Sequence, residues 1–200
     1  MIVITSPDIV TNEFDCISEM FQGGLSLLHI RKPGFSVIEM QHYLDRLPVS
    51  FRDKLVLHQH HELTTAFGIN RMHVRKQDRI FFTPDRLSKP LRCYSTGTHT
   101  IEEYNNLSDR YQYAFLSPVF ESISKPGYQS EKNILTSLAN RTNYNTQLVA
   151  LGGIDASNIR PVLKKGFDNI ALLGAIWNSD DPVLSFQKCR DEFNTVKNLK

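Results

Sequence analysis

Cysteine is scarce and scattered. Cys16, Cys93 and Cys189 are the only three, and their wide spacing forms neither a zinc-type motif nor a closed disulfide framework. Long apolar runs are missing as well. The longest, Ile170 to Trp177, is far below the ~20 residues of a membrane-spanning helix, so no membrane partner is expected. Neither sign of charge dominates: a formal net charge of +2 over 200 residues is too small to imply a nucleic-acid partner. The opening residues, Met1 to Pro7, lack the basic flank and longer apolar run of a secretory signal. With the unpaired thiols, this makes a cytoplasmic, reducing environment the simplest expectation. No linker, low-complexity tract or internal repeat is visible, so residues 1–200 read as one domain.

What is present is alternation. Short β-branched or leucine-rich runs recur at Ile2 to Thr5, Leu25 to Ile30, Leu55 to Leu57, Met72 to Val74, Cys93 to Thr96, Tyr113 to Leu116, Leu148 to Leu151 and Asn169 to Leu173. Helical periodicity fills the intervals at Asn12 to Phe21, Ser36 to Leu47, His61 to Phe67, Ile101 to Asn106, Ser130 to Arg141 and Asn158 to Lys165, and continues from Pro182 to about Val196. Gly23-Gly24 and Gly166 supply helix stops. The segment with Pro84 and Pro90 offers only a short or irregular helix. Periodicity alone does not separate an open doubly wound sheet from a closed parallel barrel. Short strands of buried pattern, each followed by a polar or glycine-containing loop, favour an α/β fold of the (β/α)8 TIM-barrel type, with its site on those loops.

Two strands end in glycine, at Gly152-Gly153 and at Gly174-Ala175. Without Cβ atoms these turns let backbone N–H groups approach an anion, and barrels commonly hold phosphate there. The plain alternative is a pair of tight strand-to-helix turns. After the sixth strand, hydroxyls at Ser122 and Ser124 and the ammonium of Lys125 could neutralise a phosphate or pyrophosphate, or form a solvated loop.

In order and spacing these segments resemble the thiamine phosphate synthase and thiazole tautomerase (TenI) family. The matching stretches are Leu27-Leu28-His29-Ile30-Arg31, Met72-His73-Val74 through Asp78, Thr98-His99-Thr100, Ser117-Pro118-Val119-Phe120 through Lys125, and Ala150-Leu151-Gly152-Gly153-Ile154. The resemblance implies an enzyme of thiamine biosynthesis, a transferase that couples an aminopyrimidine diphosphate to a thiazole phosphate and releases pyrophosphate with Mg2+. Its partners would be small phosphorylated substrates, with a homodimer left open. Arg31, Lys125, Ser122 and Ser124 match positions that contact the diphosphate. Asp78 matches a metal-ligand carboxylate, and Gly152, Gly153, Gly174 and Ala175 fall at the thiazole-phosphate end. His58, Gln59 and His99 complete the expected substrate contacts, with Arg31, Lys125 and His29 as the catalytic set.

The departures from that pattern matter as much. His29 stands for the family's glutamine, Pro33 for a lysine, His58 and Gln59 for an asparagine-aspartate pair, and Gly97 for a serine. Loss of the carboxylate at Gln59 weakens the expected Mg2+ site, because Mg2+ favours carboxylates and substrate phosphates. The alternatives are a TenI-like tautomerase or a non-catalytic binder of thiazole phosphate. The tautomerase's proton-transferring histidine falls at Pro118, so His29 would have to replace it. His58, His60 and His61 could meet His29 as metal ligands, act as acid–base groups, or be polar loop residues; His73 reads as a satisfied core histidine.

Overall fold

In the computed structural model, which describes residues 1–81, 93–120 and 134–198, eight parallel strands close into a barrel in sequence order. They are β1 (Ile2–Ile4), β2 (Leu27–Ile30), β3 (Leu55–Leu57), β4 (Arg71–Val74), β5 (Cys93–Thr98), β6 (Tyr113–Leu116), β7 (Gln147–Ala150) and β8 (Asn169–Leu172). The seam is narrow. Only Ile2↔Ala171 and Val3↔Leu172 join β1 to β8.

Both faces of the strands are buried, because each face meets a different core. Val3, Leu28, Ile30, Leu55, Leu57, Leu116, Leu148 and Leu172 point outward and pack with helix residues such as Ile17, Met40, Ile159 and Phe186. The alternate residues Ile2, Ile4, Cys93, Tyr113, Phe115, Val149 and Ala171 fill the inside of the barrel. A period of two along each strand sorts the side chains between the two cores.

The outer layer is built from α1 (Glu13–Gln22), α2 (Val37–Asp45), α3 (Leu63–Phe67), α4 (Ile101–Asn105), α5 (Ile134–Ser137), α6 (Ile159–Lys164), α7 (Gly174–Trp177) and α8 (Pro182–Lys197). Local chemistry sets several ends. Ser36 and Glu39 form a reciprocal capping box at α2, while Asp181 accepts from the Leu184 N–H at the proline-led start of α8. Short 3-10 turns at Val49–Lys54, Lys76–Asp78 and Leu138–Asn140, together with α7, were not apparent from periodicity. The first of them follows Pro48, and α7 lies within the apolar run that ends β8. α7 is tied to the first strand by the Trp177 indole, which donates to the Ile4 carbonyl at 2.7 Å. The segment with Pro84 and Pro90, and the start of the helix expected from Ser130, lie outside the described residues.

One ion pair is fully enclosed. Lys32, with no exposed surface, lies 2.8 Å from Glu13 of α1, which is 1% exposed. The ammonium also donates to the Asp8 carbonyl at 2.9 Å, and Tyr43 donates to Glu13 Oε1 at 2.9 Å. The loop after β2 is thereby fixed to α1 and α2. Removing one member of a buried pair strands the other charge and typically costs about 3–5 kcal/mol. Lys32→Ala should lower unfolding stability in urea by that amount, and a Lys32→Met/Glu13→Leu double variant should recover much of it. A loss in Lys32→Ala below about 1 kcal/mol would show that the pair does not hold the loop.

Candidate functional site

A cavity of about 950 Å3 opens where the strands end. Arg31 follows β2, His58 and Gln59 follow β3, Asp78 follows β4, His99 follows β5, and Gly152, Gly153, Gly174 and Ala175 follow β7 and β8; all line it. Every sequence-predicted site residue among the described ones reaches this cavity except His29, which lies beneath it with no exposed surface. Ser122, Ser124 and Lys125 lie outside the described residues.

The glycine end has the expected form. Gly152 and Gly153 sit at φ of +98° and +63°, a region that side chains with Cβ atoms rarely adopt. A Cβ on Gly152 would stand 2.8 Å from Pro118 Cα. The N–H groups of Gly152, Gly153, Gly174 and Ala175 have no acceptor among the described residues. Donors are thus grouped in one wall of the cavity.

Cations are fewer than the neighbouring sequence suggests. The guanidinium of Arg31 makes no hydrogen bond or ion pair to a described residue, while its backbone N–H donates to Thr5 Oγ1 at 2.9 Å. Lys32 does not stand in for the lysine missing at Pro33, because its ammonium is consumed by Glu13. Arg75 is paired with Asp78 at 2.6 Å, and Arg79 and Lys76 with Glu103 at 2.9 and 3.3 Å. Arg31 is the cavity-lining guanidinium left unpaired among the described residues.

Gln59 has its own structural duty. Its amide donates to the Lys32 carbonyl at 2.5 Å, which a carboxylate could not do. His99 is turned by a 2.8 Å contact between Nδ1 and the Ser117 carbonyl. The carbonyl can only accept, so Nδ1 carries a proton.

The histidines assemble differently from their order in the chain. His60 reaches the Phe35 carbonyl at 2.7 Å and His61 the Leu57 carbonyl at 3.1 Å, so neither joins His58. Residues beyond a strand end no longer alternate, and His60 has a left-handed φ of 54°. Instead His58 meets His29 and His73, both inward members of their strands. His29 Nδ1 lies 2.9 Å from His58 Nε2, and His29 Nε2 lies 2.6 Å from the Tyr113 hydroxyl. His73 stacks on His58 with ring centroids 4.1 Å apart and contacts Ser95 Oγ through Nδ1 at 2.9 Å. His73 is therefore a core histidine bonded through Nδ1, and its ring is also part of the cavity floor. The signal in the sequence was its place between outward-facing Met72 and Val74, matching His29 between Leu28 and Ile30.

Burial holds these imidazoles neutral. It drives His29 and His58 well below the usual histidine range, with His73 adding to both, and takes His73 to about 3. Burial also raises the Tyr113 phenol, which keeps its proton. One self-consistent assignment has Tyr113 donating to His29 Nε2 and His29 donating from Nδ1 to His58 Nε2.

A family model described as "Thiamine monophosphate synthase" matches residues 1–176. The chain belongs to this thiamine monophosphate synthase family. A thiamine-phosphate synthase of a Nostoc species is 25% identical over 199 residues, covering 98% of this chain and 56% of that protein. The chain thus spans little more than half the length of that relative. A thiamine-phosphate synthase of Streptococcus suis is 25% identical over 185 residues, covering 84% of this chain and 76% of that protein. Among solved structures, a thiamine phosphate pyrophosphorylase from Bacteroides thetaiotaomicron aligns with a TM-score of 0.74 at 26% identity, covering 97% of each chain. No helix among the described residues is long and apolar enough to cross a membrane.

The neutral histidines give this family member a pH signature. His73 titrates at about 3 in the fold against an ordinary 6.5, so between those values the unfolded chain binds more protons. Stability must then fall as pH drops below about 6.5, by up to roughly 1.4 kcal/mol per pH unit for each such histidine. Between pH 6.5 and 5, before most carboxylates titrate, His73→Gln should flatten the decline by one histidine's share. Urea midpoints across that range measure it, and an unchanged slope would mean that His73 is not buried neutral.

Proposed function

We propose that this chain is a thiamine-phosphate synthase, a transferase that joins an aminopyrimidine diphosphate to a thiazole phosphate and releases pyrophosphate. The observation carrying this reading is the presence, in the lining of one cavity, of glycine-turn N–H groups and an Arg31 guanidinium that have no partner among the described residues. Two anionic groups need two such receptors. The N–H wall at Gly152, Gly153, Gly174 and Ala175 suits a phosphate monoester, and Arg31 suits the diphosphate.

As the bond to the diphosphate lengthens, charge accumulates on the departing oxygens. Arg31, whose backbone N–H is held by Thr5, would turn its guanidinium to those oxygens and compensate that charge. Lys125, matched from sequence, is assigned to the same task. The thiazole phosphate, anchored at the glycine turns, would keep its ring nitrogen directed at the developing cationic carbon.

The residues present fit Mg2+ that arrives with the diphosphate. Asp78 supplies one carboxylate, partly engaged by Arg75, and Gln59 retains a carbonyl oxygen while its amide nitrogen holds Lys32. Substrate oxygens would complete the octahedron, and the ion would neutralise the leaving group. Restoring an acid by Gln59→Asp would cost the bond to the Lys32 carbonyl, so it should not simply raise turnover.

Incubating the protein with both substrates and Mg2+ should yield thiamine phosphate and pyrophosphate. Arg31→Ala should lower kcat by ~10²- to 10³-fold, the usual effect of losing one oxyanion-stabilising donor. Gly153→Leu should instead abolish thiazole phosphate binding in calorimetry. No product from the intact protein, or full turnover in Arg31→Ala, would remove the synthase reading.

A further inference from the structure

The floor of the barrel carries a cluster that the coupling reaction does not use. His29, His58 and His73, all buried, bring ring nitrogens within 4.8 Å of one another. Among the described residues this is the group of three or more histidine, cysteine or acidic side chains close enough to share an ion. Its character is set by neutral nitrogen donors, which suit Zn2+, Ni2+ or Cu2+ and not the hard, oxygen-seeking Mg2+.

The outer nitrogens support the same assignment. A histidine that holds a metal usually gives its other ring nitrogen to an oxygen partner, which fixes the orientation of the ring. His29 has that arrangement through Tyr113, at 2.6 Å, and His73 through Ser95, at 2.9 Å. The nitrogens left over are His29 Nδ1 and His73 Nε2. The latter has no partner among the described residues and lies 3.9 Å from where a Cβ on Gly97 would stand. Glycine at that position leaves the nitrogen clear, where a Cβ would be in ordinary van der Waals contact with it.

His58 is the adjustable member. Its ring is only 16° from parallel with that of His73, and an imidazole lone pair lies in the ring plane, so the two stacked rings do not yet aim at one point. His29 and His73 stand at 68° to each other, an angle at which two lone-pair directions can cross. Nδ1 of His58 has no hydrogen-bond partner among the described residues, so the ring can turn about its Cβ–Cγ bond at the expense of its bond to His29. That bond, at 2.9 Å between nitrogens, is already close to the ~3.3 Å separating two imidazole nitrogens on tetrahedral zinc with bonds of about 2.0–2.1 Å.

We propose that His29 Nδ1, His58 and His73 Nε2 form a binding site for a divalent transition metal, with the fourth position open to the substrate cavity. The ion takes the place of the proton shared between His29 and His58. That proton moves to His29 Nε2, so the ligand stays a neutral imidazole donating to the Tyr113 oxygen, whose own hydroxyl proton turns toward Ser95. Three imidazoles and an open fourth position are the arrangement in which zinc binds water or an anionic oxygen of a ligand. The site is separate from the oxygen set at Asp78 and Gln59.

Binding of the metal alone tests this without any substrate. Zn2+ titrated into the metal-free intact chain should bind at one equivalent, undiminished by millimolar Mg2+. Co2+ should give the intense visible absorption of a four-coordinate ion in place of the pale band of an octahedral one. His29→Gln or His73→Gln should weaken Zn2+ binding at least tenfold, while His60→Gln and His61→Gln leave it unchanged. Should the histidine variants fail to fold, Tyr113→Phe keeps all three ligands and removes one outer partner, and it should cost ~10- to 100-fold in affinity. A pale Co2+ spectrum, competition by Mg2+, or affinity unchanged in His73→Gln or Tyr113→Phe would overturn the assignment.

Discussion

Closure of eight parallel strands imposes a rule on every side chain they carry: one residue faces the helices and the next faces the barrel interior. The outward set here is almost wholly aliphatic, and it holds the helices in place. The inward set is unusual in polarity, with His29, His73, Ser95 and Tyr113 among apolar neighbours. Such groups persist inside a core only if their hydrogen bonds are made. Register makes them: His73 pairs with Ser95, and Ser95 with Tyr113, on adjoining strands. The cavity floor is the upper surface of this polar layer, where His73 Nε2 and His58 Nδ1 have no partner among the described residues.

The loops above that floor divide their labour differently from what residue type alone suggests. Arg31 and Lys32 are neighbours of like charge, yet one side chain faces the cavity and the other is enclosed with Glu13. The enclosed charge and the amide of Gln59 both bind the same short stretch of chain. A proline at position 33 follows directly. The rigidity of this loop therefore comes from the Lys32–Glu13 pair and from Gln59, a residue the sequence pattern assigned to substrate.

Much of the architecture was legible beforehand because it rests on local pattern. Each strand run lies at or within a residue or two of its expected bounds, and the glycine turns after β7 and β8 stand side by side in the cavity wall. The choice of barrel over open sheet needed the loops as well as the periodicity. What stayed hidden depends on contacts between distant residues. The union of His29 with Tyr113, 84 positions away, follows from register, which no local window contains. His60 and His61 misled for the opposite reason: they are adjacent in sequence to His58 but lie past the strand, where the backbone turns and each finds a carbonyl of its own.

The chain has a single tryptophan, and the structure places it at the closing joint of the cylinder. Trp177, 7% exposed, follows the glycine turn of β8 and bonds to the last carbonyl of β1. The first and final strands, the most distant parts of the chain to be paired, are thus latched by the one residue whose emission can be excited apart from that of the tyrosines. Intrinsic fluorescence in this protein is a readout of whether the ring is shut. Because the same indole belongs to α7, which begins at Gly174 and Ala175, opening that joint and loosening the glycine turn after β8 are one optical event.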